Sequence, residues 1–97
     1  MKEWGFAQVH PTDHLAQLHF FSIMKPCAGG EVEFRITVWE YAKPRDAALH
    51  FFAQADKQTN QKAAPFTPSG WGRSILDALT ECIKAIHRFP YEGPECV

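Results

Sequence analysis

Between residues 31 and 41, Val32, Phe34, Ile36 and Val38 alternate with Glu33, Arg35, Thr37 and Trp39. A two-residue period puts the first set on one face of a strand and the second on the other, so this segment is predicted to be a half-buried strand whose apolar face needs cover. Upstream, residues 18–25 read Leu-His-Phe-Phe-Ser-Ile-Met-Lys and are rich in β-formers. Pro26-Cys27-Ala28-Gly29-Gly30 then supplies the turn chemistry for a hairpin.

The period changes at residues 74–88. Ser74 with Asp77 three positions on is a capping-box pattern, and Asp77 suits the positive end of the helix dipole. Ile75, Leu76, Leu79, Cys82, Ile83 and Ile86 recur at three- and four-residue spacing, opposed by Asp77, Glu81, Lys84, His87 and Arg88. This is an amphipathic helix. Pro90 ends it, because the residue before a proline is pushed out of the α region.

Residues 47–56 carry helix-forming alanines behind Pro44, yet Leu49, Phe51, Ala53 and Ala55 alternate with His50, Phe52 and Gln54. A third strand is expected there, since one hairpin and one helix make too thin a core. Residues 4–9 offer a further short edge strand, separated from the next by Pro11 and Asp13. The expected architecture is α+β: a three-stranded antiparallel sheet, or four-stranded with that edge, and one C-terminal helix packed on one face in β-β-β-α order. Residues 1–97 form a single domain, with an edge strand or arm at 1–14, the core at 15–88 and a tail at 89–97. The order is similar in topology to the sheet-and-helix core of double-stranded RNA-binding-like folds and of HicB-type antitoxins; topology alone implies no function.

Composition agrees with a folded domain: 45% of the 97 residues are hydrophobic and 13% aromatic, too apolar for a disordered segment. Ten basic and eleven acidic residues give a formal charge of −1, which argues against non-specific nucleic-acid binding through many phosphate contacts. No apolar run reaches the roughly 18 residues of a membrane helix, and the N-terminus lacks a signal-peptide pattern, so a cytoplasmic protein is expected. In that setting Cys27, Cys82 and Cys96, an odd number without framework spacing, read as three free thiols.

Candidate chemistry is sparse, and no cofactor or metal is expected. Gly70, Trp71, Gly72, Arg73 and Ser74 form a glycine-bearing approach to the helix, where free amides and Arg73 suit a small anionic ligand or a nucleotide; the alternative is that the glycines shape a tight connection and Ser74 uses those amides for its own cap. His10 and His14 have helical spacing but are separated by Pro11 and Thr12, and no Cys-x-x-Cys or His-Glu-x-x-His accompanies the five histidines. His19, Arg35 and His50 would make a small nuclease only if two strands brought them to one face. Cys27 sits in a turn, and Cys82 on the helix stripe reads as a core hydrophobe.

Aromatic surplus remains. Phe20-Phe21 and Phe51-Phe52 send a ring to each face of the sheet, and Trp39 points away from Val38. One helix covers one face, so Phe20, Trp39 and Phe52 are expected at an interface, in a homodimer or with another protein, unless Trp4, Phe6, Phe66 and Tyr91 fold over them. A non-enzymatic, self-associating module is the leading expectation.

Overall fold

The structure, a computed structural model, describes residues 3–27, 29–43, 49–60, 62 and 64–93. A four-stranded antiparallel sheet runs in sequence order, β1 (Ala16–Cys27), β2 (Gly30–Tyr41), β3 (Phe51–Ala55) and β4 (Ser69–Gly72), followed by helix α1 (Ile75–Arg88). The fold is α+β, in β-β-β-β-α order. No helix among the described residues is long and apolar enough to cross a membrane.

The hairpin is tighter than the turn chemistry suggested. β1 continues to Cys27, opposite Gly30, leaving a two-residue loop in which Gly29 takes φ +85°, a conformation glycine adopts without steric cost. β3 falls within the ambiguous segment and pairs with Ile36–Glu40 of β2; residues 44–48 lie outside the described set. Two expectations are corrected. The candidate edge strand at residues 4–9 is instead a 3₁₀ helix over Glu3–Ala7, whose local bonding needs no sheet edge, and Gln8 Oε1 accepts from the Leu15 amide at 3.1 Å to tie the arm to the base of β1. The fourth strand comes from Ser69–Gly72, which the sequence presented as a loop.

Those glycines explain how helix and sheet meet. A Cβ at Gly70 would stand 2.6 Å from Glu81 Cβ and 2.8 Å from the Ala78 oxygen, and one at Gly72 would stand 2.6 Å from the Ala78 nitrogen. α1 therefore lies directly on the β4 backbone. Close approach favours small residues, and Ala78 and Cys82 are buried there; Ala85 and Ile86 complete the buried side of the helix, while Leu76, expected in the stripe, is 72% exposed. Val32, Phe34, Ile36 and Val38 of β2 with Ala53 and Ala55 of β3 complete the core. Each large side chain fully buried there contributes roughly 1.5–3 kcal/mol.

Both helix ends are closed. Ser74 Oγ accepts the Asp77 amide at 3.1 Å. At the other end Phe89 is extended (φ −124°, ψ 149°), and the buried Lys25 of β1 donates from Nζ to the carbonyls of Ile86 at 2.7 Å and Phe89 at 2.5 Å. A cation on the last carbonyls suits the negative end of the dipole, and burial lowers the Lys25 pKa. The three-thiol expectation fails at Cys27, which is disulfide-bonded; Cys82 is a buried free thiol pushed up to about 11 by desolvation.

Candidate functional site: the uncovered face of the sheet

Cross-strand partners share a face, so the register decides which side chains stand together. Leu18 opposes Trp39, Trp39 opposes Phe52, and Phe52 opposes Trp71. These four lie on the side away from α1, joined at two-residue steps by Phe20 of β1 and by Tyr41 of β2, with Met24 on the same face beyond Ser22. All three expected interface residues, Phe20, Trp39 and Phe52, are brought to this one face. Phe51 and Phe21 point the other way: Phe51 packs against the core, whereas Phe21 is 37% exposed.

The rings form a continuous strip. Trp39 and Phe52 are 5.6 Å apart between centroids, Phe52 and Trp71 4.6 Å, and Tyr41 and Trp71 6.3 Å in a stacked arrangement. These separations match favourable aromatic pairs, which fix the rings without desolvating their outer surfaces. Phe20 remains 72% exposed, Met24 50%, Trp71 48% and Leu18 44%. Three of the four residues that offered shielding leave the strip open: Tyr91 packs edge-on against the core residue Phe34, Phe66 packs against Phe89, and Phe6 is itself exposed, while Trp4 is half-buried in the 3₁₀ helix.

A polar cluster closes one end of this face. Ser22 Oγ donates to Glu33 Oε2 at 2.6 Å, and Arg35 Nε donates to Glu33 Oε1 at 3.3 Å. The Ser22 hydrogen bond, reinforced by the Arg35 charge, holds the Glu33 carboxyl below its ordinary pKa against the opposing effect of desolvation. Charge is confined to this end, where Glu31, Asp56 and Lys57 line a hollow with Glu33 and Arg35, and Leu18, Phe20, Trp39, Phe52 and Trp71 carry none.

The remaining candidates disperse. His19 opposes Val38, so it lies on the helix side, where its Nε2 meets Glu40 Oε1 at 2.9 Å; Arg35 is on the opposite face, and the two are not brought together. The His50 carbonyl accepts the Tyr41 amide just before β3. His10 and His14 are exposed, and no group of three His, Cys, Asp or Glu among the described residues could hold a metal ion. Gly70, Trp71 and Gly72 belong to β4, with Trp71 on the aromatic face. Exposed Arg73 shares a shallow hollow with Leu49, Leu76 and Lys84, balanced by Asp77 and Glu81. Sequence reasoning missed Trp71, Leu18 and Met24 as members of the aromatic face; for Trp71 the signal was there, an aromatic between two glycines at alternate positions. Searches against protein-family models, curated proteins and solved structures find no match for this chain.

Proposed function

We propose that this chain is a non-enzymatic interaction module that self-associates through the aromatic side of its sheet. One observation carries the reading: a strip of Leu18, Phe20, Trp39, Tyr41, Phe52 and Trp71 lies on a face that no helix covers among the described residues. Monomers rarely expose a contiguous apolar patch beyond a few hundred Å², aromatic residues are enriched at interfaces, and twofold self-association is the commonest form of closure. The Cys27 disulfide supports an oxidising compartment rather than the reducing cytosol, since such bonds persist where thiol reductants do not dominate.

Two residues of equal exposure make the test. Phe20 on the aromatic side and Leu76 on the helix are each 72% exposed, so a carboxylate at either is tolerated by the fold. Phe20→Glu is expected to give a folded protein of half the native mass by sedimentation, while Leu76→Glu keeps the native mass. An unchanged mass for Phe20→Glu refutes the reading.

A further inference from the structure

Exposure of apolar side chains on the sheet is concentrated rather than spread. Leu18, Phe20, Phe21 and Met24, the most exposed large apolar side chains of the sheet apart from Trp71, all belong to β1. β1 is also an edge: no strand among the described residues pairs with its outer side over the twelve residues from Ala16 to Cys27. Edges of this length are usually blunted by charge, proline or a bulge. Here the only charged side chain is Lys25, buried and committed to the helix C-terminus, and the only proline is Pro26 at the hairpin end.

Main-chain directions along that edge are fixed. The Arg35 carbonyl accepts the Asp56 amide at 2.9 Å and the Tyr41 amide donates to the His50 carbonyl, so odd-numbered residues of β2 direct their main chain toward β3; the Ala42 amide donates to the Leu15 carbonyl on the other side. The β1 residues opposite those odd positions, Ala16, Leu18, Phe20, Ser22, Met24 and Pro26, therefore turn their amides and carbonyls outward. Pro26, which has no amide to offer β2, stands at one of them, as an edge proline must.

We propose that the second copy joins at this edge: β1 pairs antiparallel with β1 of the partner copy about a twofold axis through Ser22, perpendicular to the sheet. This rests on the self-association reading and moves its seam from across the aromatic face to the β1 edge of that face, where Phe20 and Met24 meet between copies while Trp39, Phe52 and Trp71 stay uncovered. About Ser22 the strand is complementary to itself. Phe20 meets Met24 of the second copy on the aromatic face, Phe21 meets Ile23 on the helix side, and Leu18 meets Pro26. A twofold axis through Phe21 instead sets Phe20, the most exposed of them, against Ser22. Pairing about Ser22 puts no like charges opposite each other, since Lys25 faces His19, whose ring already bonds Glu40. An eight-stranded sheet results, with the two aromatic strips on one face and both helices on the other.

Two variants test it, with the mass of the native chain measured alongside. Ser22→Pro removes the central outward amide in a strand that already accepts Pro26, and is expected to give a folded monomer. Ser22→Cys is expected to cross-link the dimer under mild oxidant, because directly opposed hydrogen-bonded residues have Cα atoms about 5.5 Å apart, within disulfide reach. Thr37→Cys, on the aromatic face of β2, is expected to give no cross-link. A native dimer that Ser22→Pro leaves intact, or that cross-links at position 37 and not at 22, overturns the edge seam while leaving self-association standing. A native chain that is monomeric overturns both.

Discussion

Replacing Gly70 with alanine puts a methyl carbon 2.6 Å from Glu81 Cβ and 2.8 Å from both the Ala78 oxygen and the Cys82 nitrogen. Carbon contacts are optimal at about 3.5–4.0 Å, so α1 must retreat from β4 by roughly 1 Å. Two of the three obstructing atoms are backbone, and no rotamer change relieves them. Retreat loosens Ala78, Cys82 and Ile86 against the sheet, and overpacking of this kind typically costs about 1–3 kcal/mol. The upper end is expected, about 3 kcal/mol, or a fall in Tm of roughly 12–24 °C for a domain of this size. Gly29→Ala is the control: nothing lies within 4 Å of its added Cβ, but φ is +85°, so its cost is conformational, about 1–2 kcal/mol. Urea denaturation followed by far-UV circular dichroism measures both. Should Gly70→Ala cost less than Gly29→Ala, the direct seating of the helix on β4 is wrong.

Further outcomes follow from individual side chains. Lys25→Met removes the donor to two carbonyls at the helix C-terminus and is expected to lower stability by about 1–3 kcal/mol in the same urea assay. Because the Glu33 carboxyl is held below its ordinary pKa, its contribution is complete above the unfolded value near 4.5 and is lost as pH falls through the folded one; Ser22→Ala, which removes the largest cause, is expected to raise the carboxyl pKa in an NMR titration. Cys82, buried and with its thiol pushed up to about 11, is expected to resist a thiol reagent at pH 8 until the chain is unfolded by urea.

What the sequence made legible was local. The Ser74 and Asp77 pair, the helical period and Pro90 bound α1 within one residue at its start and none at its end, because caps and prolines act through their immediate neighbours. Alternation in β2 gave its two faces for the same reason. The helix stripe was misjudged at Leu76, since the buried side of α1 is set by where β4 allows approach, and that depends on two glycines distant from the stripe's own pattern. Those glycines also hid β4 itself, glycine being depleted in strands. On the site, parity within each strand sent one ring of each phenylalanine pair to each face, but only the cross-strand register puts Phe20, Trp39 and Phe52 on the same face and, by pairing His19 with Val38, puts His19 on the face opposite Arg35. The Cys27 disulfide had no spacing signature in an odd set of three.

Light-scattering mass of the native chain, taken on a size-exclusion column through a dilution series with and without reductant, bears most directly on self-association. A mass of twice 11.0 kDa that falls toward a single chain only on strong dilution is the predicted result. A single-chain mass at every concentration and in both buffers contradicts it.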